Sequence, residues 1–460
     1  MEGVRHRMIH KFNQGNKNIV IDVNSGAVHV VDPLVYRILD FYPDHTDEVI
    51  VETLKGAYTS DSIQEALEEI KTLKKEGLLF SEERYLEHES FKNKKPVVKA
   101  LCLHIAHDCN IRCKYCFASQ GDFKGQRSFM TLEVGQKAID FLLENSGKRR
   151  NLEVDFFGGE PLMNFDVVKE IVAYGRRREK EYNKAIRFTM TTNGVLLDDE
   201  NMKFINEEMH NVVLSIDGRE EINDYMRYTV NGQGTYKLIV PKLLKMAEMR
   251  KGKDYYVRGT FTRHNLDFSN DVIHLADIGF KNVSVEPVVA APQHDYAITE
   301  EDLPIVFEHY EALAEEYVKR TKEGNPFNFF HFMIDLNQGP CVIKRIVGCG
   351  AGAEYLAVTP EGELYPCHQF VGNSDFMIGS VMDNTLKKEL YYTFAEAHVY
   401  NKDKCNECWA KFYCSGGCHA NAYHFNNDIN VPYDIGCEME KKRIESALMI
   451  QAKLAEEEVS

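Results

Sequence analysis

The chain has 460 residues, 44% of them hydrophobic, and a formal net charge of −16. That length calls for two or three domains with sizeable cores, and the acidic balance speaks against sequence-independent nucleic-acid binding, which needs a basic surface. The opening "MEGVRHRMIHKFNQGNKNIV" has no apolar stretch of the signal-peptide kind, and no window approaches the length of an apolar membrane span. The expectation is a soluble, cytoplasmic protein. There, twelve cysteines point to metal rather than to disulfides.

Residues 1–85 read as a small α+β module. "KNIVIDVNSGAVHVVD" gives two β-rich runs around Asn24-Ser25-Gly26, a hairpin signal. "PLVYRILDFY" has helical spacing with Pro33 at a first helical position. "SDSIQEALEEIKTLKKEGLLF" predicts an amphipathic helix that ends near Gly77 and runs into a short closing strand. Hairpin, helices and closing strand resemble a winged helix. A charged linker over 86–97 follows.

From residue 98 strands and helices alternate. "VVKALCLHIA", "NLEVDFFGGEPL", "IRFTMTTNG", "NVVLSIDG", "YVRGTFTR" and "NVSVEPV" read as strands with helical segments between them. About six βα units predict an α/β domain over 98–310, a partial (β/α)6 barrel with its site at the C-terminal ends of the strands. A bridging segment over 311–340 contains the end of a helix, and a cysteine-rich domain follows over 341–460.

Three cysteines, Cys109, Cys113 and Cys116, follow the first of these strands. Three thiolates can hold three irons of a cubane [4Fe–4S] cluster and leave the fourth iron open for an exogenous ligand. The competing reading is a zinc knuckle short of one ligand. Cys102 lies mid-strand and reads as a core residue.

The spacing Cys109-x3-Cys113-x-Tyr115-Cys116 resembles the signature of the radical S-adenosylmethionine (SAM) superfamily. Gly158, Gly159, Glu160 and Pro161 resemble its second motif, at the end of the second strand. The implied role is to bind the SAM amino group, with Glu160 as the acidic partner. Thr191 and Asn193 in "TTNG", and Ser215 and Asp217 in "SIDG", end the next two strands and by resemblance line the ribose and methionine part of SAM. Arg227 is the candidate for the SAM carboxylate, which a guanidinium can bind bidentately.

Cys349, Cys367, Cys405, Cys408, Cys414, Cys418 and Cys437 resemble the seven-cysteine SPASM pattern. The resemblance implies two auxiliary [4Fe–4S] clusters. Cys405, Cys408, Cys414 and Cys437 would ligate the outer one, and Cys349, Cys367 and Cys418 the inner one. Cys341 would be the inner cluster's fourth ligand, or else one iron stays free for a substrate thiol. With Cys341 the eight cysteines would also fit two four-ligand zinc sites, the competing reading.

Ahead of such domains, a winged-helix-like module resembles the precursor-recognition domain of ribosomal peptide maturases, which bind a leader peptide as an added strand. Here "VHVVD" offers the strand edge. Ten basic and seventeen acidic residues across 1–90 argue against DNA.

The whole chain resembles the thioether-forming maturases of SCIFF (six cysteines in forty-five residues) peptides. The implied chemistry is reductive SAM cleavage by electrons from a donor such as a flavodoxin or ferredoxin. Hydrogen abstraction from the peptide and thiolate–carbon bond formation follow. The nearest rival is anaerobic sulfatase (formylglycine) maturation, whose enzymes carry an Asp where His368 stands. Carbon–carbon cross-linking of peptides is a third possibility. From another class comes an iron–sulfur redox sensor with a DNA-binding winged helix.

Overall fold

In a computed structural model of the chain, the structure describes residues 8–83, 85, 97–334, 336 and 346–459. The expected linker therefore falls almost wholly outside the described residues. Strands β1 (Ile9–Gln14), β2 (Lys17–Asp22) and β3 (Val28–Val31) form an antiparallel sheet in that order, with β3 at an edge. Helices α1 (Pro33–Ile38), α2 (Asp47–Leu54) and α3 (Ser60–Lys75) follow. Asp32 caps α1 and Thr59 caps α3, each side chain accepting from a backbone N–H of the first turn.

The expected closing strand does not form. Leu79 and Phe80 are buried in the module's core through irregular backbone, and Phe80 sits at φ +51°, which no strand accommodates. β1 takes the place of the expected third strand. Alternation along β2 gives the module two packing faces: Val20 enters its own helical core, while Ile19 and Ile21 join the core of the rest of the protein.

The alternating region builds as expected. Strands β4 (Ala100–Ala106), β5 (Ile111–Cys113), β6 (Asn151–Gly158), β7 (Ala185–Thr192), β8 (Met209–Ser215), β9 (Arg227–Thr229), β10 (Asp254–Phe261) and β11 (Asn282–Pro287) occur in this order. Between them lie α4 (Leu132–Asn145), α5 (Phe165–Glu181), α6 (Asp199–Glu208), α7 (Glu220–Met226), α8 (Tyr236–Met249) and α9 (Ser269–Asp277). β4, β6, β7, β8, β10 and β11 are parallel neighbours, and β5 and β9 pair separately as a short antiparallel ribbon. Outward-facing apolar residues of the strands form one core with the covering helices.

The cysteine-rich region is not a detached domain. After α10 (Leu303–Lys322), strand β12 (Asn328–Phe329) extends the β11 edge. At the other edge β13 (Tyr355–Val358) pairs in parallel with β4, and β14 (Glu363–Tyr365), β15 (Gly379–Ser380) and β16 (Thr385–Leu386) continue the sheet antiparallel. Helix α10 runs continuously through residue 310 and packs along the C-terminal helix Asp434–Val459. That helix also receives the N-terminal module: His10 Nε2 meets Glu445 at 2.9 Å, and Gln14 donates to Ser446 at 3.1 Å. The His10 ring stacks on Trp409, centroids 3.8 Å apart. No helix of the described residues is long and apolar enough to cross a membrane.

Arg250, fully buried after α8, ties the bottom of the barrel together. Its guanidinium donates to the carbonyls of Met209, His210 and Asp254. Arg250→Met is expected to lower unfolding stability by about 3 kcal/mol, because it removes a buried charged donor from three carbonyls. Urea denaturation measures this, and iron binding is expected to stay unchanged because the site lies at the opposite strand ends.

Candidate iron–sulfur and cofactor site

The loop after β4 carries Cys109, Cys113 and Cys116, and two glycines decide where it runs. Gly158 sits at φ +121°, and a Cβ there would stand 2.4 Å from the carbonyl oxygen of Ala106. A Cβ on Gly159 would stand 2.0 Å from the oxygen of Asp108. Only glycine permits this approach, which is closed by Gly159 N–H donating to Ala106 O at 2.7 Å and Glu160 N–H to Asp108 O at 3.0 Å. Cys113 lies on β5, paired with Arg227 on β9. Cys116 closes a turn onto the Cys113 carbonyl.

Glu160 points toward the end of β7. Its side chain is fully buried and accepts from Leu162 N–H at 3.0 Å, the Thr192 hydroxyl at 2.8 Å and Asn193 N–H at 2.8 Å. Both oxygens tie the end of β6 to the end of β7, and Oε2, with one donor, keeps capacity for another. Burial outweighs these three donors and pushes its pKa up to about 7. Pro161 is buried at the start of the next turn. Asn193 is thereby aimed at the triad: its amide lies 3.7 Å from Cys109 Sγ and donates to Asn110 at 2.8 Å. Thr191 is half-buried, while Thr192, which sequence reasoning passed over, makes the bond to Glu160.

A second knot joins the remaining expected residues. Tyr115 donates its hydroxyl proton to the buried Asp217 carboxylate, at 2.7–2.8 Å from both oxygens. Arg227 donates to Tyr115 at 3.2 Å and to the Ser215 carbonyl at 3.2 Å. Asp217 also accepts from Thr260 N–H at 3.1 Å. Burial raises the Tyr115 pKa well above its ordinary value, with the Asp217 charge adding to the effect, so the phenol stays protonated.

These residues fit a cluster and a polar cofactor. Asn110 Nδ2, Gln120 Oε1 and Arg227 Nε are buried beside the triad without a hydrogen-bond partner. Burial pushes the Cys109 and Cys113 thiols up to about 11 and about 12, while the Arg227 charge favours their thiolates. A bound metal deprotonates such thiols outright. Ser119, Gln120, Phe123 and Lys124 all adopt positive φ in the loop after Cys116, a concentration of strain found where a site must be held open.

Cys367 lies within electrostatic reach of Cys349 and Cys418. Cys437 and Cys414 lie within reach of Cys405, and Cys437 also of Cys408. Cys341 lies outside the described residues. Among the described residues no three Cys, His, Asp or Glu side chains converge on a point that one metal ion could occupy. A cubane takes each thiolate on a separate iron, so its ligands ring a volume. Lys402, unforeseen, is fully buried near Cys405, Cys414, Cys418 and Cys437, and donates to the Gly416 carbonyl at 2.8 Å. The only hint in the sequence is a lysine three residues before Cys405. Cys102 is buried, as expected of a core residue.

Comparison with known proteins agrees with this geometry. A family described as "Radical SAM superfamily" matches residues 103–257, and one described as "Iron-sulfur cluster-binding domain" (SPASM) matches 349–409. The chain carries a radical SAM domain followed by a SPASM domain. It is 23% identical over 373 residues to the radical SAM cyclopropyl synthase TigE of Paramaledivibacter caminithermalis, covering 73% of this chain and 72% of that protein. It is 25% identical over 347 residues to a cysteine-type anaerobic sulfatase-maturating enzyme of Clostridium perfringens, covering 70% and 89%. The solved structure of native anSMEcpe with bound AdoMet and Cp18Cys peptide superposes with a TM-score of 0.63 at 20% identity, over 79% of this chain and 100% of that one.

Two outcomes test the radical SAM site. Gly159→Ala is expected to prevent incorporation of the triad's cluster, read after anaerobic reconstitution as iron content and visible absorbance lowered by the share of one cluster. Glu160 gives a pH signature. Its folded pKa of about 7 lies above the ordinary 4.5, so the folded state binds more protons in that interval. Its contribution to stability therefore falls as pH rises from about 4.5 to about 7. Thermal melts across this range are expected to show that slope in the wild type and a flatter one in Glu160→Gln.

Proposed function

We propose that the protein is a radical SAM maturase that forms thioether cross-links from cysteines of a ribosomally made, cysteine-rich peptide. One observation carries this reading. A cavity of about 360 Å³ is lined by Phe117, directly after Cys116, by His368, directly after Cys367, and by Asn421 in the first turn after Cys418. A peptide in that cavity touches the surroundings of the SAM-site triad and of the inner thiol group at once. Thioether formation needs this, because one end must lose hydrogen from carbon while the other presents a thiolate.

SAM held at a [4Fe–4S] cluster supplies a 5′-deoxyadenosyl radical on one-electron reduction, from a donor such as a flavodoxin or ferredoxin. The chain supplies position and exclusion of water. Cys109, Cys113 and Cys116 would hold the cluster. Asn193, Ser215 and Arg227 would orient SAM. Phe117, Phe123 and Val289 wall the cavity apolar. Cys405, Cys408, Cys414 and Cys437 would hold an outer auxiliary cluster, and Cys349, Cys367 and Cys418 an inner one. The N-terminal module would bind the leader as a fourth strand on β3, an edge strand on which Val30 is 49% exposed.

Formylglycine formation is supported by the likeness to the sulfatase-maturating enzyme over 70% of the chain. Against it stands the half-buried His368, at the position where those enzymes carry an Asp.

Mass spectrometry decides between the two. A leader-bearing, cysteine-rich peptide is incubated anaerobically with reconstituted enzyme, SAM and reductant. The expected product loses two hydrogens per cross-link and has one thiol fewer to alkylate. A product aldehyde trapped by hydrazine would establish the sulfatase-type reaction instead. Cys109→Ala is expected to form neither 5′-deoxyadenosine nor product.

A further inference from the structure

Arg258 stands on β10 in register with Ser215 on β8 and Ser284 on β11. Its neighbour Val257 is fully buried against the outer helices, so alternation turns Arg258 into the barrel with Tyr256 and Thr260. The barrel wall encloses it, yet its side chain keeps 48% of its accessible surface, which means that it lines the open lumen.

Among the described residues its one hydrogen-bond partner is Glu286 on β11. A guanidinium carries five N–H donors, so most of its donors face the lumen. Further polar groups stand behind Glu286. Glu286 Oε1 lies 3.9 Å from His331 Nε2, that nitrogen lies 3.0 Å from the Ser284 hydroxyl, and Arg443 of the C-terminal helix donates to His331 Nδ1 at 2.8 Å. Arg443 is itself paired with Glu440. Nothing in the SAM site uses Arg258. Tyr115, Asp217 and His368 all lie within electrostatic reach of it.

We propose that Arg258 binds the substrate peptide by donating to a main-chain carbonyl next to the residue being modified. This rests on the reading that the chain modifies a peptide. The Glu286 carboxylate already neutralises the guanidinium, so the remaining donors suit a neutral acceptor better than a second carboxylate. A carbonyl contact fixes the distance from peptide to radical whatever the side chain.

The test compares wild type, Arg258→Lys and Arg258→Met as reconstituted full-length enzyme, with the peptide that the wild type modifies in the assay above. Arg258→Met is expected to raise the peptide KM about tenfold, the loss of one charge-assisted contact. It is also expected to raise the ratio of 5′-deoxyadenosine to product. SAM affinity, iron content and melting temperature should be unchanged, and Arg258→Lys should recover part of the KM. A second probe replaces the amide at the modified residue by an ester, a weaker acceptor. That change should harm the wild type and leave Arg258→Met unaffected.

An unchanged KM overturns the proposal. So does a fall in SAM affinity, which would assign Arg258 to the cofactor carboxylate, and so does a loss of iron or stability in both variants, which would assign it to the fold. A wild type that modifies no peptide overturns the functional reading and this proposal with it.

Discussion

Backbone contact between Gly158–Gly159 and Ala106–Asp108 is the constraint on which the site depends. Two strand ends approach too closely for any side chain, and the contact is locked from behind by a carboxylate with no access to water. Desolvating Glu160 is costly unless its oxygens are satisfied. The three donors that satisfy it come from the ends of β6 and β7, so burying Glu160 also fixes Asn193 beside Cys109. The position of the first thiol thus follows from packing rather than from a metal. Tyr115, Asp217 and Arg227 do the same for the far side of the loop, where Cys113 is held by strand pairing.

What was legible in the sequence was local. Cysteine spacing, glycine doublets and the alternation of strand and helix are written within a few residues, and the parallel order of the six barrel strands follows from them. What was not legible depends on partners far along the chain. The bonds from Thr192 and Asn193 to Glu160 join residues more than thirty positions apart and leave no mark in the motif itself. β1 is missed because "IHKFNQ" mixes polar and apolar residues; its burial comes from the C-terminal helix, more than four hundred residues away. The closing strand was expected from a β-rich run, yet Leu79 and Phe80 satisfy their burial through a turn. Lys402 and Arg258 carry no signal beyond their charge.

The N-terminal module is built into the auxiliary half of the protein. Cys405 and Phe412 pack with Val23, and Tyr85 meets Phe412 edge to face. His10 lies flat on Trp409, the residue after Cys408. Whatever displaces the first strand therefore disturbs the surroundings of Cys405 and Cys408.

The parallel pairing of β13 with β4 orders events in time as well as in space. β4 is the first barrel strand made, and β6 covers one edge as soon as synthesis has passed residue 158. The other edge waits for residues 355–358, with nearly the whole barrel made in between. Until then an apolar strand presents unpaired N–H and C=O groups, a template for wrong pairing. The barrel cannot finish its sheet before the cysteine-rich region arrives, so a chain cut short of β13 would keep its triad loop and leave the second edge of β4 uncovered.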